Sequence, residues 1–215
     1  QTYRMLITVC WLVVKGLLQT QEDGTTSFRD FLDDQRMSRL YEKFILEYFK
    51  REHPELDVGA PHISWALDDG FDDMLPAMGE EREQLFSSNV MLPVMKSDVV
   101  LSLGETMLII DAKYYSHAMQ QQYNTHSIHS HNLYQIFTYV KNKEAELVHA
   151  GVPHEVSGMV LYARTDEEVQ PDGVFGMSGN QISVKTLDLN LPFVDIKKQL
   201  DEIVDSLFIK ESAFA

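Results

Sequence analysis

The strongest constraint on the fold is a pair of apolar segments separated by a short turn. Residues 90–103 and 107–114 are rich in valine, isoleucine and leucine, and Gly104 and Glu105 lie between them. Two apolar runs around a short glycine-containing turn are typical of an antiparallel β-hairpin. We therefore predict two neighbouring strands of a buried sheet here.

Apolar periodicity predicts helices on both sides of this hairpin. Spacings of three and four indicate helices, and short apolar runs between polar stretches indicate strands. The predicted helices are 3–19, 35–52, 131–150 and 192–209, and the further strands are 63–67, 156–163 and 181–187. The polar segments 20–34, 68–89 and 116–130 are predicted to be irregular, the last of them a mobile loop. This order predicts an α/β fold, a mixed central β-sheet flanked by helices, in one domain over residues 1–215.

Charge and cysteine content restrict the class of protein. The formal net charge of −15 argues against general nucleic-acid binding through a basic surface, although a metal-assisted enzyme acting on DNA with a partner is compatible with it. The lone Cys10 fits a reducing compartment, and the apolar run 5–18 is too short to span a bilayer. We expect a cytoplasmic protein with no membrane partner. The first residue, Gln1, suggests a chain cut from a longer polypeptide.

Two aspartates fall at matching ends of the predicted hairpin. Asp98 is expected on the first strand and Asp111 on the second, with the turn between them. Strand pairing can bring the two carboxylates together at one end of the sheet. Carboxylates and a backbone carbonyl, here that of Ala112, are hard oxygen ligands suited to Mg²⁺, with Mn²⁺ as a substitute. The pattern predicts a divalent-metal site at Asp98, Asp111 and Ala112.

Lys113 lies two positions after Asp111, so both side chains are expected on one face of the strand. An ammonium beside a metal-bound water can orient that water or stabilise its deprotonated form, and it offsets charge on a phosphate under attack. An aspartate and a lysine at the end of a buried strand are costly unless paired or metal-bound. Two interpretations are open: a structural ion pair, or a catalytic centre, which Asp98 on the paired strand favours.

Two helical positions are candidate additions to this centre. Gln135 and Tyr139 stand at i and i+4 and share a helix face. They either hold the lysine or a DNA phosphate, or form a plain polar face. Glu42 borders the apolar face of the helix over 35–52. It is either a further acidic metal ligand or an ion-pair partner of a neighbouring basic residue.

Five segments, in this order, resemble the McrC family, the nuclease subunit of McrBC-type restriction systems, which cut DNA containing modified cytosine. They are MSRLYEKFILEYFKRE (37–52), LPVMKSDVVL (92–101), LIIDAKYY (108–115), HSHNLYQIFTYV (129–140) and SGMVLYA (157–163). The resemblance runs from about Tyr3 to the last helix. Each segment alone is a weak signal, but the ordered set is specific.

The resemblance implies a restriction-endonuclease-like core of the PD-(D/E)xK type. Its first acidic position falls on Asp98, its second on Asp111, its lysine on Lys113 and the glutamine of its helical motif on Gln135. The chain departs from the motif because Ser97, not proline, precedes Asp98. The resemblance also implies an AAA+ partner that hydrolyses GTP, the McrB subunit, which would read the modified base while this chain cuts. The family's N-terminal region that contacts this partner is expected to be missing.

The leading hypothesis is a Mg²⁺-dependent type IV restriction endodeoxyribonuclease, part of a modified-cytosine-directed, GTP-dependent system of antiviral defence. A catalytically silent nuclease-fold module for assembly or scaffolding is the alternative, and the acidic composition would suit it. A small-molecule phosphodiesterase on the same fold is a third possibility. The presence of Asp98, Asp111 and Lys113 together favours the nuclease, since a silent relative has no reason to retain all three.

Overall fold

The structure is a computed structural model that describes residues 28–67, 92–115, 119–122 and 125–208, with side chains described over 35–67, 92–115 and 127–207. The chain divides into two compact units, Gln1–Asp33 and Asp34–Ala215, and the second carries the sheet and the candidate site. The predicted helix over 3–19 and the acidic segment over 68–89 lie outside the described residues. The expectation of a single domain over the whole chain stays a prediction.

Three helices and ten strands make up the described part of the chain. The helices are α1 (Phe28–Glu52), α2 (Ser130–His149) and α3 (Phe193–Phe208). The strands are β1 (Asp57–Gly59), β2 (His62–Ile63), β3 (Met95–Lys96), β4 (Val99–Leu103), β5 (Thr106–Lys113), β6 (Met119–Gln122), β7 (Thr125–Ile128), β8 (Glu155–Ala163), β9 (Gly173–Met177) and β10 (Asn180–Leu187). No described helix is long and apolar enough to cross a membrane.

Six of the strands form one mixed sheet in the order β1-β4-β5-β8-β10-β9. The hairpin of β4 and β5 is antiparallel, as predicted, whereas β5 pairs with β8, and β8 with β10, in parallel. Parallel neighbours need a crossover, and α2 supplies it between β5 and β8. Strand β5 therefore runs through the middle of the sheet, buried over most of its length. The predicted α/β class with a mixed central sheet is confirmed.

Strand alternation divides the apolar residues of this sheet between two cores. Leu108, Ile110 and Ala112 of β5 pack in a cluster with buried residues of α1 and α3. Ile109 lies in the other cluster, with Ile136 and other buried residues of α2. Because side chains alternate along a strand, every second residue of β5 faces the α2 side. Helices cover both faces of β5. Its sequence is therefore a continuous apolar run and not an alternation of apolar and polar residues.

Close packing of α2 against the sheet depends on a glycine in β8. A Cβ built on Gly158 would lie 2.8 Å from both Ile136 Cγ1 and Val140 Cγ2. These two side chains are fully buried on α2. The missing side chain thus sets how near the helix approaches the strand, and with it the position of the polar residues beside Ile136.

A polar cluster ties the end of α1 to α3. The Tyr48 hydroxyl donates to the Asp201 carboxylate, and His53 Nε2 lies 2.9 Å from Asp201 Oδ1. The ammonium of Lys197 lies 3.0 Å from Glu52 Oε2 and 3.4 Å from Asp201 Oδ2. These contacts hold α1 and α3 together at the edge of the core that the two helices share.

Several predicted boundaries were wrong. Residues 90–103 are not one strand, because Met95–Lys96 pairs with His62–Ile63 in a separate two-stranded sheet and β4 begins only at Val99. The segment 20–34 is not wholly irregular, since α1 already begins at Phe28. The predicted strand over 63–67 is reduced to His62–Ile63.

The polar segment 116–130 is not a plain loop, because β6 and β7 pair within it as an antiparallel ribbon. Backbone pairing needs no apolar side chains, so a hydrophobic pattern does not reveal such a ribbon. Strands β1 and β9 were missed for a related reason. Both are short edge strands, and β9 is mostly exposed.

Candidate active site

The candidate site lies at the carboxyl end of β5. Asp111 and Lys113 share the face of β5 that looks toward α2, two residues apart, as the sequence predicts. Asp111 is 2% exposed and is thus a carboxylate deep in the sheet. Burial of an ionisable group at this level needs strong local partners.

Asp98 approaches the same end of the sheet from the neighbouring strand. It occupies a bend immediately before β4, not the strand itself as predicted. The last paired residues of the hairpin are Val99 and Ile110, so Asp98 lies one step beyond, opposite Asp111. Asp98 Oδ2 accepts a hydrogen bond of 2.9 Å from the backbone N–H of Ala112. This bond fixes one carboxylate against the strand that carries the other.

Lys113 connects Asp111 to helix α2. Its ammonium donates to Asp111 Oδ1 at 2.9 Å and to Gln135 Oε1 at 3.1 Å. The amide of Gln135 in turn donates to the Tyr139 hydroxyl at 2.9 Å. This helix face is therefore not a plain polar surface, because Gln135 binds the lysine through a hydrogen bond. Tyr139 fixes Gln135 in turn through a second hydrogen bond.

The ionisation of the site reflects competition between burial and the lysine. Burial raises the pKa of Asp111 to about 6, although the ammonium of Lys113 acts in the opposite direction. Burial also raises the pKa of Asp98, against the Ala112 N–H and Lys113, which lower it. For Lys113, burial lowers the pKa, but the charge and hydrogen bond of Asp111 outweigh burial and the net pKa is raised. The lysine is consequently a cation at neutral pH.

Glu42 of α1 lies within electrostatic range of these groups. Burial and the negative charge of Asp98 raise the pKa of the Glu42 carboxyl, whereas Lys113, Lys96 and Arg39 lower it. In turn, Glu42 is among the charges that raise the pKa of Asp111. Three carboxylates thus act on one another at this end of the sheet. No hydrogen bond or ion pair of Glu42 to a basic neighbour is observed among the described contacts.

One buried oxygen makes the site a suitable place for a cation. Asp111 Oδ2 lies 2.8 Å from the ammonium of Lys113 and has no other partner among the described residues. A carboxylate oxygen with a single ionic contact can still accept a further positive partner. A divalent ion would be held by hard oxygens of Asp98 and Asp111, and its charge would offset the burial that raises both pKa values. In the described part of the chain, no three acidic or histidine side chains form a ready-made metal cluster.

Two other lysines of α2 bind groups outside the site. Lys141 binds Glu144 and the Ser178 carbonyl, and Lys143 binds Glu146. Three neighbouring residues were missed by sequence reasoning: Tyr115, Asn132 and Tyr162. A signal for Asn132 was present, since it precedes Gln135 by three positions and so shares its helix face.

A mixed sheet between helices, with two aspartates and a lysine at the end of its central hairpin, is an α/β architecture consistent with a restriction-endonuclease-like fold. The chain belongs to the family described as McrBC 5-methylcytosine restriction system component, whose model matches residues 1–150. The expected relationship to McrBC systems is therefore confirmed.

Two individual relatives are similar to this chain. The type IV methyl-directed restriction enzyme EcoKMcrBC of Escherichia coli (strain K12) is 27% identical over 204 residues, which cover 94% of this chain and 53% of the relative. The chain thus spans about half the length of that relative. A solved chain from the refined half-complex of the tetradecameric assembly of Thermococcus gammatolerans McrB AAA+ hexamers with bound McrC is 17% identical, with a TM-score of 0.47, covering 78% of this chain and 33% of that chain.

Proposed function

We propose that this chain is the DNA-cleaving part of a type IV restriction system, a Mg²⁺-dependent endodeoxyribonuclease of the PD-(D/E)xK type. In this proposal it hydrolyses phosphodiester bonds of DNA that contains modified cytosine. An AAA+ partner of the McrB kind recognises the modification and hydrolyses GTP. Asp98, Asp111, Lys113 and Gln135 form the active centre, with Glu42 and the Ala112 carbonyl as additional metal ligands.

The single observation that carries the proposal is the buried arrangement around Asp111. Its carboxylate lies opposite Asp98 across the hairpin, is buried, and has Lys113 as its only partner among the described residues. A purely structural ion pair at a strand end would not need a second aspartate opposite, nor a glutamine from another helix on the lysine. Two carboxylates and an oriented ammonium are the groups that metal-assisted phosphate hydrolysis requires.

A divalent cation held by these carboxylates supplies charge that lowers the pKa of a water molecule and neutralises the phosphate. The residues of the chain have separate tasks. Asp98 and Asp111 would bind and orient the cation through their carboxylates. The Ala112 N–H fixes the carboxylate of Asp98, and Lys113 fixes that of Asp111. Lys113 remains protonated, and Gln135 holds its ammonium where negative charge develops during hydrolysis.

The backbone of Ala112 has a second task. Its N–H is used by Asp98, and its side chain packs in the core shared with α1 and α3. The carbonyl belongs to the residue that follows Asp111 and whose N–H binds Asp98. This position supports its role as the backbone ligand in the proposal.

The charge of the chain supports dependence on a partner. A net charge of −15 provides no long-range attraction for DNA phosphates, and it slows encounter at low salt. Attachment to a DNA-bound AAA+ assembly would replace intrinsic affinity with a high effective concentration. Cleavage would then be confined to DNA that the partner has already selected.

The proposal is tested by plasmid cleavage with four protein samples: the chain, the partner, both together, and both with Asp111→Ala. The plasmid carries 5-methylcytosine, with Mg²⁺ or Mn²⁺ and GTP present, and EDTA in a parallel reaction. We expect double-strand cutting only with both wild-type proteins and metal. Full activity of the Asp111→Ala mixture would contradict the assignment of the site. An inactive wild-type mixture that still assembles would support the silent scaffold module instead.

A further inference from the structure

An aromatic side chain stands beside the candidate centre without a task in the proposed chemistry. Tyr115 follows Lys113 by two residues, and its side chain is 38% exposed. Its phenol lies within electrostatic range of the Lys113 ammonium. A tyrosine ring that remains accessible next to a buried ionic site offers an apolar face to whatever enters that site.

The Tyr115 ring is held in place by two other rings. Its centroid lies 5.6 Å from that of His129, edge to face, and 6.2 Å from that of Tyr162, tilted. Aromatic pairs in these orientations are attractive beyond their buried area. The ring is thus fixed by contacts on part of its surface while the rest stays open.

A buried amide fixes the ring at its hydroxyl end. The Tyr115 hydroxyl donates to Asn132 Oδ1 at 3.3 Å, and Asn132 Nδ2 donates to the Tyr162 hydroxyl at 2.7 Å. Asn132 is 1% exposed, so both of its polar groups are committed to tyrosine hydroxyls inside the protein. A buried amide is costly without such bonds, and it makes the orientation of both tyrosines specific.

We propose that Tyr115 is a substrate-contacting residue whose exposed ring packs against the nucleoside next to the phosphate that is cut. The proposal rests on the proposed nuclease function and deepens it, because it assigns a subsite for the nucleoside rather than for the phosphate. A nucleoside offers a flat base and a deoxyribose with apolar C–H groups, and either can pack on a fixed aromatic ring. Stacking of this kind tolerates any sequence, since every base has a π-face.

The test uses the active mixture of this chain and its partner with three variants. Tyr115→Leu removes the ring, and Tyr115→Phe keeps the ring but removes the bond to Asn132. Phe175→Leu is the matched control, because Phe175 is 39% exposed and lies on β9 at the edge of the sheet. We expect kcat/KM to fall roughly tenfold for Tyr115→Leu, on the order that one aromatic–base contact supplies. Tyr115→Phe is expected to stay within about threefold of wild type, and Phe175→Leu to equal it.

Substrates with one abasic nucleotide distinguish the two parts of the nucleoside. After the cut has been mapped on end-labelled DNA, the abasic residue is placed on either side of it. If the ring packs on a base, the penalty of Tyr115→Leu disappears on one of these substrates. If it packs on the sugar, the penalty persists on both.

Three results would overturn the proposal while leaving the nuclease function intact. They are wild-type activity of Tyr115→Leu, an equal loss in Tyr115→Phe, and a tenfold loss of Mn²⁺ affinity in Tyr115→Leu measured by calorimetry. The second would show that the bond to Asn132 matters and not the ring, and the third that Tyr115 supports the metal site. A wild-type mixture that assembles but does not cut would instead contradict the nuclease function itself.

Discussion

The ammonium of Lys113 lies between the carboxylate of Asp111, 2.9 Å from Oδ1, and the side-chain amide of Gln135 at 3.1 Å. The lysine thus joins the central strand of the sheet to the helix that crosses over it. Its position is fixed from two elements whose packing depends on the core between them. Substitutions in the carboxylates, in the glutamine and in the core therefore have separable effects.

Removal of any one of the three charged groups is expected to abolish cleavage. Asp98→Ala and Asp111→Ala remove metal ligands, and Lys113→Ala removes the charge that offsets the phosphate. Each loss should exceed about a hundredfold in rate, because such groups supply several kcal/mol in the transition state. Cleavage rates are measured beside circular dichroism and thermal unfolding. Full activity of any one variant would remove that residue from the centre.

Gln135→Ala is expected to weaken cleavage roughly tenfold without eliminating it, because the glutamine orients Lys113 through one hydrogen bond to a charged group. Tyr139→Phe should have a smaller effect, since Tyr139 acts only through Gln135. The measurement is single-turnover cleavage. Loss of folding in Gln135→Ala, seen as a lower melting temperature with normal activity per folded molecule, would show that the residue serves only the helix.

Gly158→Ala is expected to destabilise the protein by about 1–3 kcal/mol, the usual cost of overpacking. The new methyl group would meet Ile136 and Val140 at 2.8 Å, and the displaced α2 would carry Gln135 away from Lys113. Gly176→Ala is the matched control, because a Cβ there has no atom within 4 Å. Urea unfolding measures both. Equal stability of the two variants would show that the contact with α2 is loose.

The free energy of unfolding is expected to depend less on pH in the Asp201→Asn variant than in wild type. Burial raises the pKa of Asp201, but hydrogen bonds from Tyr48 and His53 and the charge of Lys197 outweigh it, so the net pKa is lowered. A carboxyl whose pKa is lower when folded stabilises the protein above its unfolded pKa, and this contribution is lost as pH falls through the folded pKa. The variant should therefore lose about 1–2 kcal/mol near pH 7 and approach wild type only well below about pH 4, once the pH has fallen through the lowered pKa of the folded carboxyl. The same difference in free energy of unfolding at both pH values would show that the charge of Asp201 is not the cause.

The sequence alone predicted the parts of the fold that carry strong apolar patterns. The hairpin of β4 and β5, helices α2 and α3, and strands β8 and β10 follow from periodicity and turn residues. The sequence did not predict the edge strands or the ribbon of β6 and β7, because backbone pairing and not side-chain burial defines them. The early start of α1 at Phe28 was not predicted because the segment 20–34 is mostly polar and contains Gly24, although Phe28, Phe31 and Leu32 stand at helical spacing.

For the candidate site, residue types and hairpin register predict that Asp98, Asp111 and Lys113 lie together. The Asp98–Ala112 bond was not predictable, because it depends on where β4 begins. Tyr162 comes from a strand more than forty positions after Lys113, and only the parallel pairing of β5 with β8 places it opposite. Roles that depend on such long-range register do not follow from local spacing.

The most direct test is single-turnover hydrolysis of a 5-methylcytosine plasmid by the chain and its GTPase partner in Mg²⁺. Wild type is compared with Asp111→Asn, which keeps the shape of the side chain but removes its charge. Asp205→Asn, an exposed carboxyl on α3, is the matched control. We predict cutting by wild type and Asp205→Asn, and at least a hundredfold loss in Asp111→Asn. Equal cutting by all three would show that DNA is cleaved by some other site.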